Sequence, residues 1–148
     1  MNFNKTTEYA FRILSYMSMD ESRLYSVDEI FKKQQIPYRY LRKLMTNLTK
    51  SELIISIQGK SGGYKISRKP EDISLLDIIT IVDPSYLSGT CFFGFENCAL
   101  QTSCTMHDQW SDVRTNIRTI LSGTSIAKIK QVKNQNQILT NTIHSLKT

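Results

Sequence analysis

Three cysteines and one histidine lie close together in the second half of the chain. Their spacing is Cys91-x6-Cys98-x5-Cys104-x2-His107, and no other cysteine occurs in the 148 residues. Thiolates are soft ligands suited to zinc, copper and iron–sulfur clusters, and an imidazole can complete such a set. An odd number of cysteines argues against a disulfide framework. The spacing therefore indicates metal or redox chemistry.

The number of residues between the cysteines indicates which metal or cluster they could bind. Structural zinc sites usually use ligand pairs two to four residues apart, so that a short knuckle closes around one ion. Gaps of six and five residues make a looser loop, which favours a larger object such as an iron–sulfur cluster. Zinc and a metal-free thiol switch stay open as alternatives. Taken alone, His107 would be a capping or surface residue, and the upstream cysteines make a ligand role an equal alternative.

The cysteines belong to an irregular stretch, residues 85–104, here called the cysteine segment. It lacks helical periodicity and contains Gly89 and Gly94. A structureless stretch of about 20 residues is uncommon in a compact domain and usually has a function. Metal binding or redox sensing would account for it.

The first fifty residues have the patterns of three helices. Apolar residues at helical spacing predict a first helix over about residues 5–19. Ser26 and Glu29 match a capping box for a short second helix. Pro37 suits the first position of a third helix, because its missing N–H costs nothing there. The apolar stripe of that helix consists of Leu41, Leu44, Met45 and Leu48. Two short helices before a basic one are typical of a helix-turn-helix.

Two β-branched runs follow at residues 53–57 and 64–67, separated by Gln-Gly-Lys-Ser-Gly-Gly. Two strands joined by a glycine-rich, basic loop predict a hairpin. Beside a helix-turn-helix, such a hairpin is a wing, and its tip could enter or skirt a minor groove. A fourth helix is expected over residues 73–82, begun by Ser74 and stopped at Asp83 and Pro84.

The positive charge of the chain is unevenly distributed. Residues 1–70 carry 13 Lys and Arg against 6 Asp and Glu, whereas residues 71–148 carry 6 against 7. A local positive field favours a polyanion, because neutralised phosphates release their counterions. A solubilising surface is the alternative.

Several classes of protein are disfavoured by what the sequence lacks. No run approaches the roughly 18 apolar residues of a membrane span, and the N-terminus does not resemble a signal peptide. We therefore expect a soluble, cytoplasmic protein without a membrane partner. No cofactor fingerprint, nucleophile–base pattern or paired carboxylates indicate an enzyme.

A long helix is expected after the cysteine segment, ended by Gly123. Its apolar residues recur at spacings of 4, 3, 4 and 3, which is a heptad seam suited to pairing with a second copy. Small DNA regulators commonly read two half-sites, which favours a dimer over packing within one subunit. The seam consists of Met106, Trp110, Val113, Ile117 and Ile120. Thr124 and Ser125 could cap a further helix through Ile129.

Over about residues 1–130 these motifs together resemble the IscR/NsrR family of iron–sulfur winged-helix transcription regulators. The similar residues are Glu8-Tyr9-Ala10 with Arg12, Ile36-Pro37 with Tyr40-Leu41 and Leu44, Gly59 to Tyr64, Pro70 to Ile79, and Cys104, His107 and Trp110. No single motif is decisive, but their order and spacing are specific.

The resemblance implies a homodimer with its recognition helices in successive major grooves of a palindromic operator. It also implies that the three cysteines hold a [2Fe–2S] or [4Fe–4S] cluster. The fourth ligand in the family is either the histidine that corresponds to His107 or an acidic residue that corresponds to Glu8. The intact Cys-x2-His spacing favours His107, and with it [2Fe–2S].

Two features depart from the family pattern. The first cysteine gap is six residues, whereas the branch with the histidine usually has five. Gln58 stands where a wing arginine is common, and Lys60 could take over its contact.

The expected fold is therefore mainly α with a small β-hairpin wing: a winged helix-turn-helix over 1–83, the cysteine loop over 84–105, and a dimerisation helix with a C-terminal helix or tail over 106–148. The expected function is a transcription regulator controlled by an iron–sulfur cluster. The alternatives are a thiol-based or zinc-dependent regulator of the same fold, or a redox or cluster-carrier protein.

The residues expected at the DNA fall into three groups. The base readers at the start of the recognition helix are Tyr38, Arg39 and Tyr40. The phosphate contacts are Arg42, Lys43, Lys50, Lys60 and Lys65. Gln58 and Ser61 complete the wing contact.

Overall fold

The computed structural model describes residues 3–86, 91–95 and 103–129. The helices and strands, in chain order, are α1 (Lys5–Met17), α2 (Val27–Gln34), α3 (Tyr38–Lys50), β1 (Ile54–Ile57), β2 (Gly63–Ile66), α4 (Leu75–Val82) and α5 (Thr105–Ser122), with one turn of 3-10 helix at Pro70–Asp72. Cys98 and everything after Ile129 lie outside the described residues. The mainly helical fold with one antiparallel hairpin confirms the predicted fold class.

Side-chain caps set the starts of α1 and α2. The Asn4 side chain accepts the Thr7 N–H at 2.9 Å, and the Ser26 hydroxyl accepts the Glu29 N–H at 3.1 Å. The Glu29 carboxylate does not complete the expected capping box. It accepts the Tyr16 hydroxyl at 2.7 Å and the Arg23 guanidinium at 2.8 Å instead, which ties α2 to α1. α1 ends at Met17, two residues before the predicted Met19, and Ser18 is its C-cap.

The turn between α2 and α3 depends on two residues. Gln35 takes a left-handed conformation with φ of 51° and donates its N–H to Phe31 O at 2.8 Å. Pro37 is the N-cap of α3 rather than its first residue, and its carbonyl accepts the Leu41 N–H at 2.9 Å. The predicted apolar stripe of α3 is confirmed as buried: Leu41, Leu44, Met45 and Leu48.

The wing, residues 53–67, is a short hairpin with a third partner at its base. Ile54 pairs with Ile66 and Ile57 with Gly63. Tyr25, in the loop before α2, exchanges two backbone hydrogen bonds of 2.8 Å with Tyr64. This bridge attaches the wing to the start of α2.

α4 packs against both α1 and α5 and begins with a complete capping box. The Ser74 hydroxyl accepts the Asp77 N–H at 3.1 Å, and the Asp77 carboxylate accepts the Ser74 N–H at 2.9 Å. One hydrophobic core lies between α1, α2, α3, the base of the wing and α4. None of the described helices is both long and apolar enough to cross a bilayer.

After α5 the chain returns to the start of α4. The Leu75 N–H donates to Thr124 O, and the Ile126 N–H donates to Ile73 O, each at 2.9 Å. The Ile126 side chain is 0% exposed and belongs to the same core as α1 and α3. The C-terminal end of α5 is therefore joined to the winged helix by backbone hydrogen bonds and by burial. Residues 126–129 are helical, as expected for the stretch after Ser125.

Candidate nucleic-acid interface and cysteine site

The exposed face of α3 is basic. Arg39, Arg42, Lys43 and Lys50 are all exposed and lie opposite the buried stripe. Within the described part of the chain, none of these four is in a salt bridge with a carboxylate. Their positive charges are therefore available to an anionic partner such as a phosphate backbone.

Tyr38 begins α3 and packs back onto α2. Its ring meets the Phe31 ring edge-on, with 5.4 Å between centroids. A hydrogen bond to the Asp28 carboxylate raises the pKa of the Tyr38 phenol above its ordinary value. Tyr38 is still exposed, so its predicted base contact would have to coexist with these two interactions.

Tyr40 packs in another direction, onto α1. Its ring lies 5.6 Å from the Tyr9 ring in an edge-on arrangement, and its hydroxyl is hydrogen-bonded to the Thr6 hydroxyl. Tyr40 is 36% exposed. Sequence reasoning missed this contact, because Thr6 and Tyr9 are distant from Tyr40 in the chain and no local pattern joins them.

Most of the wing residues predicted to contact DNA lie at the tip of the hairpin. Gln58, Lys60 and Ser61 are exposed, and Lys65 on β2 is half-buried. The Gln58 side chain donates to the Ser56 hydroxyl at 3.2 Å. The tip has no bulky side chain, which suits close approach to a groove.

Two of the three cysteines are in the described residues. Cys91 and Cys104 are both half-buried and neither is in a disulfide with a described residue. Cys104 is the N-cap of α5, and its carbonyl accepts the His107 N–H at 3.1 Å. His107 is exposed in the first turn of α5.

One aromatic contact holds the Cys91 end of the segment against α5. The Phe92 ring meets the Trp110 ring edge-on at 5.4 Å between centroids. Because Phe92 follows Cys91 directly, this contact places the residue next to the first cysteine on α5, the helix whose N-cap is Cys104.

The donors present suit an iron–sulfur cluster in their chemistry. Cys91 and Cys104 are half-buried thiols, and Cys104 is the N-cap of α5, where the unpaired N–H groups of a helix stabilise negative charge. In the described ranges no three His, Cys, Asp or Glu side chains gather in a metal-binding group, and the remaining cysteine, Cys98, lies outside them. The Glu8 carboxylate is paired with Lys5 at 2.7 Å in the first turn of α1.

The predicted heptad seam of α5 divides between two faces. Met106, Trp110 and Ile117 are half-buried. Ile117 packs beside Ile79 and Leu121, in a small cluster between α4 and α5. Val113 is 44% exposed and Ile120 is 66% exposed. The inner part of the seam therefore packs within the chain, and the outer part is open.

A basic helix of a helix-turn-helix, followed by a wing with an exposed glycine and lysine tip, defines a winged-helix DNA-binding protein. A family model described as Rrf2, iron-dependent transcriptional regulator, matches residues 3–131. The chain belongs to the Rrf2 family of transcription regulators.

Relatives with known descriptions agree with this assignment. The chain is 29% identical over 135 residues to an HTH-type transcriptional regulator of Aquifex aeolicus, covering 90% of this chain and 94% of the relative. It is 32% identical to NsrR of Oceanobacillus iheyensis, covering 72% and 74% of the two chains. It is 34% identical to IscR of Aliivibrio salmonicida, covering 68% of this chain and 60% of the relative. These proteins are transcription regulators, not enzymes, and the predicted IscR/NsrR resemblance is confirmed.

Solved structures of low sequence identity share the fold. CymR, described as the global cysteine regulator of B. subtilis, matches with a TM-score of 0.73 at 19% identity, covering 89% of this chain and 98% of CymR. The IscR of T. potens matches with a TM-score of 0.70 at 23% identity, covering 91% and 88%. CymR and IscR therefore share this fold although they are described as different regulators.

Proposed function

We propose that this chain is a homodimeric regulator whose affinity for a palindromic operator is controlled by an iron–sulfur cluster. The observation that carries the proposal is that half-buried Cys104 is the N-cap of α5, while Phe92, next to half-buried Cys91, contacts Trp110 of the same helix. Relatives named IscR and NsrR, together with the iron-dependent description of the family, support it. The protein would act in the cytoplasm, where its duplex DNA target lies.

In this proposal Cys91, Cys98 and Cys104 are ligands, and His107 is the fourth. The backbone hydrogen bond from His107 to Cys104 holds both residues in one helical turn, which supports His107 over Glu8. A [2Fe–2S] cluster is favoured over [4Fe–4S] by that ligand set. When bound, the cluster would change its charge, or be gained or lost, in response to redox state, nitric oxide or cluster supply.

Contacts at the start of α1 support a coupling between the cysteine segment and the DNA-binding half. The Asn4 side chain donates to Asp83 at 2.6 Å, and the Phe3 ring lies 5.0 Å from Tyr86. Both partners lie where the chain leaves α4 for the cysteine segment. A reordering of that segment would change these contacts, and a shift in DNA affinity follows only if the two arrangements bind DNA differently.

The direct test is anaerobic purification followed by an absorption spectrum and assays of iron and acid-labile sulfide. We expect a coloured protein that contains both, and loss of colour, iron and sulfide in Cys98→Ser. Ser103→Ala, an exposed neighbour of Cys104, is the matched control and should retain the cluster. A colourless, iron-free protein that still binds DNA would contradict cluster control and leave DNA binding intact.

The dimer has its own test at the open part of the α5 seam. Ile120→Glu puts a charge at a position that is 66% exposed in the single chain, so it should spare the fold of each subunit. If a second copy covers Ile120, the buried charge should raise the dimer dissociation constant. Sedimentation over a range of concentrations measures this. An unchanged association would remove this face from the dimer interface.

A metal-free thiol regulator is the second candidate. The likeness in fold to CymR, a cysteine regulator by its description, favours it. Cys91 and Cys104 carry no disulfide in the described residues and so are open to oxidation. The two candidates differ in the iron and sulfide content of the anaerobic protein, and a zinc-dependent regulator would bind zinc without colour.

A further inference from the structure

Two tyrosines flank Arg39 at the start of α3, and both turn back onto the protein. Tyr38 packs on Phe31 of α2, whereas Tyr40 packs on Tyr9 of α1. Successive helical residues are about 100° apart, so the side chain between the two tyrosines points away from both contacts. The start of the recognition helix is therefore held on two sides.

α1 contacts both ends of the turn that joins α2 to α3. The Arg12 guanidinium donates to the carbonyl of Gln34, the last residue of α2, and lies 5.6 Å from the Tyr9 ring centroid. The same Tyr9 ring contacts Tyr40 on α3. One helix thus binds the last turn of α2 and the first turn of α3.

We propose that Tyr40 is a positioning residue that fixes the angle of the recognition helix on α1, rather than a reader of bases. Its hydroxyl is engaged by Thr6, and the edge-on ring contact is made with Tyr9. Reading a base with that hydroxyl would require giving up the Thr6 contact and turning the ring away from Tyr9. Because the helix is already held in place, Arg39 is preorganised for the groove. Less conformational entropy is then lost when DNA binds.

This inference rests on DNA binding by the winged helix and does not depend on a metal cluster. Thr6 and Tyr9 belong to α1, outside the helix-turn-helix pair itself. A substitution at Thr6 should therefore weaken DNA binding by releasing Tyr40, without altering any side chain of the recognition helix. That is the property that separates positioning from base reading.

The experiment uses the full chain and a duplex selected by it from a random library of about 25 base pairs, which accommodates two half-sites one helical turn apart. Binding to the selected duplex and to a scrambled duplex is measured for Tyr40→Phe, Thr6→Val and the double variant. Each single variant should bind the selected duplex about twofold to tenfold more weakly, as expected for one hydrogen bond. Binding to the scrambled duplex should not change. The double variant should be no weaker than the weaker single variant, because both changes remove the same contact.

Two controls accompany these variants. Thr6→Ser retains a hydroxyl and should restore the binding of the unaltered protein. Thr80→Val makes the same chemical change on α4, where the hydroxyl donates to Leu76 O of its own helix at 2.8 Å, and should have no effect on DNA binding. Thermal unfolding of each variant checks that the fold is retained.

Single base-pair changes in the selected duplex give the decisive readout. Positioning predicts that the loss in Tyr40→Phe is spread over several base pairs and is the same in Thr6→Val. Loss of discrimination at one base pair of each half-site, with Thr6→Val unaffected, would show that Tyr40 reads a base and would overturn the proposal. Unchanged binding in both single variants would also overturn it.

Discussion

At the scale of single residues, Arg39 is the side chain that we expect to read a base. It is exposed, it lies between two tyrosines that pack on the scaffold, and it is in no salt bridge within the described residues. A guanidinium can bond two acceptors of a guanine in the major groove. Lys50, at the other end of the same helix, is suited to a phosphate.

We predict that Arg39→Ala and Lys50→Ala weaken DNA binding in different ways. Arg39→Ala should cost about 1–3 kcal/mol on the selected duplex and relax specificity at one base pair. Lys50→Ala should weaken binding to every duplex alike and reduce the salt dependence by about one phosphate contact. Titrations over a salt series measure both. Equal weakening by Arg39→Ala on selected and scrambled DNA would remove it as a base reader.

Buried tyrosines give the fold a dependence on alkaline pH. Burial raises the pKa of Tyr25 above its ordinary value of 10.0, and burial followed by the Glu29 contact raises that of Tyr16. The folded state therefore holds these phenolic protons at a pH where the unfolded chain has released them. Stability should be independent of these groups below pH 10.0 and should fall as the pH rises above it.

Urea unfolding measured on either side of that pH tests this expectation. Tyr25→Phe keeps the buried ring and loses a long hydroxyl contact of 3.3 Å to Asp20 O, so its stability at neutral pH should change little. Its loss of stability above pH 10.0 should be smaller than that of the unaltered protein. An identical alkaline profile would show that Tyr25 does not contribute.

At the scale of elements, the wing depends on a glycine with no room for a side chain. A Cβ built on Gly62 would lie 2.2 Å from Ile57 O and 2.9 Å from Gly59 O. Both neighbours are backbone atoms, which cannot move aside as a side chain can. The hairpin must therefore change shape to accept any other residue there.

We predict that Gly62→Ala destabilises the protein by about 1–3 kcal/mol, as the strain of a displaced backbone does. It should also weaken DNA binding by disordering the wing tip. Gly123→Ala is the matched control, since its nearest contact would be 3.3 Å from Thr119 O, and it should cost distinctly less. Urea unfolding compares the two, and equal losses would contradict the steric argument.

The elements that sequence predicted well are those with local causes. The Ser26 cap and the stripe through Leu41 and Leu48 depend on neighbours within a few residues. The capping box at Glu29 failed because the side chains of Tyr16, in α1, and Arg23, in the loop before α2, hydrogen-bond to its carboxylate. Contacts of this kind leave no periodic signal.

In the candidate site, too, features with local causes were predicted and features that depend on distant contacts were missed. Exposure of Arg39 and Lys60 follows from spacing alone, and the structure agrees. The attachment of Tyr40 to Thr6, and the division of the α5 seam by packing against α4, depend on how distant helices meet. The roles of Cys91, Cys104 and His107 stay predictions that chemical analysis must decide.

At the scale of the whole molecule, the winged helix is completed by residues from beyond α5. We predict that Ile126→Ala lowers the free energy of unfolding by about 2–4 kcal/mol, because it empties a fully buried position in the core. Ile55→Ala removes the same atoms from an exposed position on the wing and should cost much less. Chemical unfolding compares the two variants, and equal effects would mean that Ile126 is not part of a common core.

The return of the chain to α4 also bears on folding during synthesis. Residues 3–86 emerge from the ribosome before Ser125, which forms a bridge with Ser74, and before the Ile126 side chain that fills the core. Until then, the backbone N–H of Leu75 has no Thr124 carbonyl to bond. The nascent DNA-binding half should therefore stay open to proteases and chaperones until the helix that follows the cysteines has been made. A nascent chain that ends before Ile126 would lack part of the core that holds the DNA-binding half together.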